Sequence, residues 1–83
     1  MIARTFVYFN DIAQINKFVT ELNYNINSDV DIISGRYTIN AKSIMGIYSL
    51  NLSSPIEVIL FSEDKEEIET FNKLMKEFEV KND

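Results

Sequence analysis

A change in hydrophobic period at Ser43 predicts a strand that runs directly into a short helix. Apolar and polar side chains alternate before it, with Tyr37, Ile39 and Ala41 on one side, as in a half-buried strand. Apolar residues after it recur at roughly helical spacing, at Ile44, Ile47, Tyr48 and Leu50. The Ser43 hydroxyl can accept a hydrogen bond from a free backbone N–H of the first helical turn. We therefore expect Ser43 to be the N-cap of the helix.

Gly46 lies inside this short helical pattern. Relative to alanine, glycine lowers helix propensity by about 1 kcal/mol. A glycine in so short a helix usually marks a bend or the close approach of another part of the chain. We therefore expect one of these two features at Gly46.

The N-terminal part of the chain predicts a strand and a helix. Residues 2–9 are rich in β-branched and aromatic types, which favour strands. Asp11 and Gln14 have the spacing of a capping box, so a helix is expected over about residues 12–22. Its apolar stripe would consist of Ile12, Ile15, Phe18, Val19 and Leu22. Residues 23–28 are rich in asparagine and predict a loop.

A hairpin is predicted between this loop and the short helix. Residues 29–33 begin with alternating polar and apolar types, which places Val30 and Ile32 on the inward face. The Ser-Gly pair at residues 34–35 is typical of a turn. Residues 37–41 then form the second strand of the hairpin.

The C-terminal part of the chain predicts a further strand and a helix. Pro55 fits the entry of a strand, because its missing N–H costs least there. The strand covers about residues 56–61, with Ile56, Val58 and Leu60 facing one way and Glu57, Ile59 and Phe61 the other. Ser62 or Asp64 would cap the last helix. Its buried stripe would consist of Ile68, Phe71, Leu74, Met75 and Phe78. Residues 81–83 are expected to fray.

Length and composition limit the class of protein. A chain of 83 residues is expected to form one domain, residues 1–83, with a small core. It contains no cysteine, which excludes disulfides and thiolate metal sites. Its net charge of −5 disfavours nucleic acid and anionic membranes as partners. No stretch is long enough to span a membrane and no signal-peptide pattern opens the chain, so a cytoplasmic protein is expected.

The sequence contains no constellation of catalytic or metal-ligating residues. Asp29 and Asp31 lie two apart on a strand and are expected to point to solvent together, which is a weak metal signal without further ligands. The two glycines, Gly35 and Gly46, do not make a phosphate-binding loop. No nucleophile is paired with a base. An enzyme, a metal site and a cofactor are therefore not expected.

Residues 42–50 closely resemble the second-helix segment of HPr, the phosphocarrier of the bacterial phosphotransferase system, in its Gram-positive form. The predicted strands and helices along the rest of the chain also follow the HPr order. The resemblance implies an α+β fold in the order β-α-β-β-α-β-α. This is an open-faced β-sandwich with a four-stranded antiparallel sheet and three helices on one face. It also implies that Ser43, which matches a serine phosphorylated by a dedicated kinase, is a regulatory site.

HPr proteins dock their partners through an apolar patch on the second helix. The matching positions are Ile44, Met45 and Tyr48, whereas Ile47 and Leu50 are expected to pack inward. For Met45 and Tyr48, both burial and exposure are compatible with the sequence, because a helix of under three turns cannot bury every face. The resemblance therefore implies protein partners at this helix, including an HPr-type kinase.

The phosphate of HPr is carried on a histidine ahead of the first helix, supported by a nearby arginine. This chain contains no histidine, and the segment before its first helix is shorter than the family pattern. Phosphohistidine transfer needs an imidazole nitrogen as nucleophile, so carrier activity is not expected. Asp11 lies near the position of the lost histidine. It could carry an aspartyl phosphate or mimic the charge of the phosphorylated carrier, but a helix N-cap is the simpler interpretation.

Two functions are compatible with the sequence. The first is a regulatory HPr-like protein that binds a partner through its second helix, under the control of phosphorylation at Ser43. The second is an interaction or oligomerisation module of the same fold with neither phosphorylation switch, in which Ser43 is only a cap. In that case the open sheet face, with Ile33, Ile59 and Phe61, would form the protein contact.

Overall fold

Four strands and three helices lie within residues 2–80, the part of the chain that the computed structural model describes. The strands are β1 (Ile2–Val7), β2 (Asp29–Ser34), β3 (Tyr37–Asn40) and β4 (Ile56–Phe61). The helices are α1 (Ile12–Asn25), α2 (Ile44–Tyr48) and α3 (Lys65–Met75). The predicted order β-α-β-β-α-β-α is confirmed. The expected fraying of residues 81–83 falls outside the described residues.

The strands form one antiparallel sheet in the order β1-β4-β2-β3. The last strand in the sequence, β4, therefore lies between the first two. β2 and β3 form a hairpin whose loop is Gly35 and Arg36, and Gly35 has a φ of 61°. Favoured two-residue hairpin loops have a positive φ at their first position, which glycine adopts without strain. The turn predicted at residues 34–35 is confirmed, with its loop one residue later.

One face of the sheet is covered by the helices and holds the core. The inward side chains Val30, Ile32 and Leu60 are buried, as their alternation predicts. They belong to one cluster with Ile47 of α2, and Leu50 packs against that cluster as a partly buried side chain. The two longer helices contribute Ile15, Phe18, Val19, Leu22, Phe71 and Met75. The predicted α+β arrangement, with helices on one face of a four-stranded sheet, is confirmed.

Three phenylalanines join the segment after β1, helix α1 and the segment after α3. The rings of Phe9, Phe18 and Phe78 meet edge to face, with centroids 5.0, 5.4 and 6.0 Å apart. Such contacts add to the free energy gained by burying the rings. The apolar spacing predicts Phe78 inside the last helix, but α3 ends at Met75. Phe78 is buried from the segment that follows the helix.

α1 continues beyond its predicted end at Leu22 and stops at Asn25, so the predicted loop at 23–28 is shorter. The asparagine side chains do not break the helix. Asn25 Nδ2 donates to the Glu21 carbonyl oxygen at 3.0 Å, within the last turn. Asn23 Nδ2 likewise bonds a helix carbonyl four residues back. Both side chains therefore bind the backbone of their own helix.

Asp64 is the N-cap of α3. Its Oδ1 accepts a hydrogen bond from the Glu66 N–H at 2.9 Å. Ser62, the other residue that could have capped this helix, accepts from the Asp64 N–H at 3.1 Å instead. Of the two residues predicted as alternatives, Asp64 therefore caps the helix and Ser62 binds the backbone of that cap.

Glu67 of α3 fastens the loop between α1 and β2. Its carboxylate accepts hydrogen bonds from the Asn27 N–H at 2.8 Å, from the Ser28 N–H at 3.2 Å and from the Ser28 hydroxyl. The Ser28 hydroxyl, followed by that of Ser62, holds the pKa of the Glu67 carboxyl at about 2, below its ordinary value. The ionised form is therefore the one that stabilises the fold.

We call the other face of the sheet the open face, since no helix of residues 2–80 covers it. Strand register places three rows of side chains across β1, β4 and β2: Ile2, Phe61 and Asp29; Arg4, Ile59 and Asp31; Phe6, Glu57 and Ile33. Phe6 and Phe61 are exposed. Ile59 belongs to this face as predicted, but it is only 6% exposed and offers little surface to a partner. It is buried because β4 is an interior strand, with Arg4 and Asp31 on either side.

Candidate functional site at the start of α2

The predicted N-cap at Ser43 is confirmed. Ser43 has an extended backbone (φ −102°, ψ 108°), and its Oγ accepts a hydrogen bond from the Gly46 N–H at 3.2 Å. Asn40 closes the turn before it, because its carbonyl and side-chain oxygens accept from the N–H groups of Ser43 and Lys42 at 3.0 and 2.9 Å. Ser43 is half-buried. Its hydroxyl is therefore held at the first turn of α2, with part of the residue accessible.

Gly46 leaves space for this hydroxyl. A Cβ atom at Gly46 would lie 3.3 Å from Ser43 Oγ and 3.3 Å from Ile39 Cδ1 on β3. Both separations are tighter than ordinary van der Waals contact, so a side chain here would have to displace a neighbour. The close approach predicted at Gly46 is confirmed, and it joins α2 to β3.

Two side chains tie the segment before Ser43 to the end of α1. Lys42 Nζ donates to the Ile26 carbonyl oxygen at 2.6 Å, at the C-terminal end of α1, where positive charge is favourable. Asn23 Nδ2 donates to the Lys42 carbonyl oxygen at 3.1 Å and to that of Val19 at 2.9 Å. The position of Ser43 is therefore coupled to α1 as well as to β3.

α2 divides its side chains between the core and the surface. Ile47 is fully buried, as predicted, and Ile44 packs against the core as a partly buried side chain. Met45 is 74% exposed and Tyr48 is 43% exposed. The Tyr48 hydroxyl donates to Asn16 Oδ1 of α1 at 3.1 Å. Of the three predicted docking positions, Met45 and Tyr48 therefore face outward, whereas Ile44 does so only in part.

Ile12 of α1 extends this exposed apolar surface, so the prediction that it belongs to the buried stripe is wrong. It is 65% exposed. It lies about one turn before Asn16, on the same side of α1, which brings it towards Tyr48. At about 100° per residue, Ile12 lies about 70° from the mean direction of the other four stripe positions. Ile12 thus lies at the edge of the stripe, in the first turn of α1. We call Ile12, Met45 and Tyr48 the α1–α2 surface.

Asp11 is the N-cap of α1. Its Oδ1 accepts a hydrogen bond from the Gln14 N–H at 2.9 Å. Gln14 Oε1 accepts from the Asn10 N–H at 2.7 Å, one residue earlier than in the usual capping box. The predicted box is thus confirmed at Asp11 and altered at its return contact. The Asp11 carboxylate is engaged at the end of the helix.

The chemistry available at the start of α2 is that of the Ser43 hydroxyl beside exposed apolar side chains. Residues 2–80 contain no group of three or more side chains that could hold a metal ion. Asp29 and Asp31 lie on the open face, where Asp29 is exposed and Asp31 is half-buried. Over the same residues, no helix has the length and apolar character needed to cross a bilayer.

Solved structures similar to this chain share its whole architecture. It is similar to the phosphocarrier protein HPr from Bacillus anthracis str. Ames, with 28% identity, a TM-score of 0.70 and coverage of 95% of this chain and 96% of that one. It is also similar to HPr-C-His from Thermoanaerobacter tengcongensis, with 25% identity, a TM-score of 0.69 and coverage of 94% and 90%. Among curated proteins, none matches the chain.

A family model that matches the sequence agrees with the similarity to solved HPr structures. The model described as PTS HPr component phosphorylation site matches residues 13–79, which is most of the chain. Proteins of this family are phosphocarriers rather than catalytic enzymes, and they act together with other proteins of the phosphotransferase system. From the fold and the family match together, we conclude that the chain belongs to the HPr family of the phosphotransferase system.

Proposed function

We propose that this protein is a regulatory, protein-binding member of the HPr family that lacks histidine phosphocarrier activity and is controlled by phosphorylation of Ser43. The observation that carries the proposal is the position of Ser43 at the first turn of α2, immediately before the exposed Met45 surface. A negative charge added at Ser43 would be presented to any protein that docks on α2.

The absence of histidine from the sequence supports the loss of carrier activity. The family match begins at residue 13, after the position of Asp11. The Asp11 carboxylate accepts a hydrogen bond from the first turn of α1, a capping role that needs no phosphate. No side chain of this chain supplies the imidazole nitrogen that phosphohistidine transfer requires.

A phosphate on Ser43 should leave the fold almost unchanged. The first turn of α2 already directs the Gly46 N–H at the Ser43 Oγ, and helix N-termini favour negative charge. The net charge of −5 opposes a further anion, but salt screens charges more than about 8–10 Å away. We therefore expect the partner to sense the new charge beside Met45 and Tyr48, rather than a refolded helix.

Incubation with an HPr-type kinase and ATP tests the modification. The expected result is one added phosphate, mapped to Ser43 by mass spectrometry and absent from Ser43→Ala. Ser49→Ala is the matched control, because Ser49 Oγ donates to the Gly46 carbonyl oxygen at 2.6 Å at the other end of α2. That variant should be phosphorylated like the wild type. Phosphate mapped to Thr38, Ser49 or Ser53 would refute the assignment.

Substitutions on the α1–α2 surface test docking separately. Met45→Ala should lower the kcat/KM of the kinase for this protein several-fold, because an exposed methionine is a typical contact residue. Tyr24→Ala is the control, since Tyr24 is 87% exposed on α1 and lies about 18 Å along the helix from Ile12. Equal kinetic constants for Met45→Ala and the wild type would contradict docking at α2.

The alternative function is an interaction module with neither phosphorylation switch. It is favoured by the exposure of Phe6 and Phe61 on the open face, which lies on the opposite side of the sheet from the helices. If the kinase leaves the protein unmodified while Ser43→Ala is destabilised, Ser43 is only a cap. That combination of results would support the alternative.

A further inference from the structure

The open face combines exposed apolar side chains with charges of both signs. Phe6 is 53% exposed and Phe61 is 45% exposed, which is typical of a contact surface when such residues share one face. The middle row across the sheet is Arg4, Ile59 and Asp31. A cation on β1 and an anion on β2 thus flank an isoleucine on β4. The Asp31 carboxylate has no hydrogen-bond or ion-pair partner within residues 2–80.

We propose that two copies of this chain pack open face to open face around a twofold axis that runs along β4. Such an axis exchanges the positions of β1 and β2, so Arg4 of each copy lies against Asp31 of the other. The opposite-charge pair therefore forms twice, as in any isologous contact. Ile59 lies on the axis between the two pairs. This interface does not involve Ser43 or α2.

The next row of the open face fits the same axis. It consists of Phe6, Glu57 and Ile33, so Phe6 of one copy lies over Ile33 of the other. A cleft of about 640 Å³ at this end, lined in part by Ile33 and Tyr37, offers space for the ring. Glu57 of one copy meets Glu57 of the other on the axis, and the repulsion between the two carboxylates opposes association. Arg4 Nη1, 3.4 Å from Glu57 Oε2, offsets part of that repulsion.

Charge and size indicate a second copy that binds weakly. A purely cationic partner would complement Asp31 but would place its charge against Arg4, whereas a second copy satisfies both residues. Strands about 4.8 Å apart and about six residues long give a small footprint. Interfaces of that kind bury less than about 1,200 Å² in total and are weak. We therefore expect a dimer that is populated at high protein concentration.

Sedimentation equilibrium of the full chain, from micromolar to millimolar concentration, tests this interface. The wild type should show a monomer–dimer equilibrium. Arg4→Glu and Asp31→Arg, each alone, place like charges opposite each other twice and should raise the dissociation constant by more than about tenfold. An equimolar mixture of the two variants restores both opposite-charge pairs in a heterodimer, and it should associate like the wild type.

A matched control separates the proposed pairing from a general effect of charge. Lys73→Glu makes the same change of charge as Arg4→Glu, but Lys73 is exposed on α3, away from the open face. It should leave the dissociation constant unchanged. A wild type that stays monomeric at millimolar concentration would overturn the proposal. So would a single variant that dimerises like the wild type, or a mixture that stays monomeric.

Discussion

Ser43 Oγ and the backbone of Gly46 lie close together because Gly46 has no side chain. The Gly46 N–H donates to Ser43 Oγ at 3.2 Å, and a Cβ on Gly46 would lie 3.3 Å from the same oxygen. The residue that lowers the helix propensity of α2 therefore also leaves space for its N-cap. A helix of five residues is not stable by propensity alone, so this contact and the burial of Ile47 hold α2 in place.

Ser43→Ala should lower the free energy of unfolding by about 1 kcal/mol, because the Gly46 N–H loses its acceptor. Ser43→Asp should be nearly neutral, since aspartate caps as well as serine and favours the positive end of the helix dipole. Urea unfolding of both variants measures the two values. Ser54→Ala, at an exposed position in the loop before β4, is the control. If Ser43→Ala unfolds at the wild-type urea concentration, the hydrogen bond contributes nothing to stability.

The effect of Gly46→Ala on the free energy of unfolding should depend on which residue occupies position 43. In the wild type, the gain in helix propensity is opposed by the contact of the new methyl group with Ser43 Oγ and Ile39 Cδ1. In the Ser43→Ala background the oxygen is gone, so Gly46→Ala should be more favourable there. A double-mutant cycle in urea should therefore give a coupling of about 0.5 kcal/mol or more. Additive effects of the two substitutions would show that Gly46 does not affect the cap.

Glu67→Gln should destabilise the protein at neutral pH by about 1 kcal/mol, allowing for solvent exposure, because the neutral amide binds the loop donors less strongly. The pKa of Glu67 is about 2 in the folded protein, against about 4.3 for an unfolded glutamate. The stabilisation by Glu67 is therefore complete above about pH 4.3 and is lost as the pH falls towards 2. Thermal unfolding between pH 7 and pH 2 measures this loss. As the pH falls, the stability of the wild type should approach that of Glu67→Gln.

The control for this pH dependence is Glu69→Gln, an exposed position on the same helix. The stability of Glu69→Gln should differ little from that of the wild type at every pH. A gap between the wild type and Glu67→Gln that stays constant down to pH 2 would contradict the role of the ionised carboxylate.

Phe71→Ala should lower the free energy of unfolding by about 3–5 kcal/mol, since it removes a large side chain from a core that cannot fully collapse. Phe71 of α3 is fully buried. Phe6→Ala is the matched control, because Phe6 is exposed and should cost much less. Both variants can be measured by urea unfolding at low protein concentration. A midpoint for Phe71→Ala within error of the wild type would show that α3 is not anchored at this residue.

The protein should take up no acid-labile phosphate from phosphoenolpyruvate through the general enzyme of the phosphotransferase system, because it contains no histidine. The phosphocarrier protein HPr from Bacillus anthracis, assayed in parallel, is the positive control. Radiolabel on this protein that is lost in acid would contradict the prediction. Label that disappears in Asp11→Asn would identify an aspartyl phosphate.

The types of element, their order and their caps could be predicted from the sequence because these features depend on neighbouring residues. Alternation placed Val30 and Ile32 inward, and a change of period located the cap at Ser43, as the structure confirms. Asp11 and Gln14 likewise marked the start of α1. Each of these signals is complete within one or two turns of the chain.

The exposure of the site residues was decided by the tertiary structure. From the sequence, Met45 and Tyr48 could equally have been buried or exposed. Ile12, assigned to the apolar stripe of α1, is exposed, and Ile59, correctly assigned to the open face, is almost fully buried there. Burial depends on which elements pack against a residue, and β4 lies between β1 and β2 only through pairings between distant parts of the chain. The Glu67 contact with its loop has the same long-range origin. Local periodicity specifies which face of an element is apolar, but not what that face meets, so these features required the assembled fold.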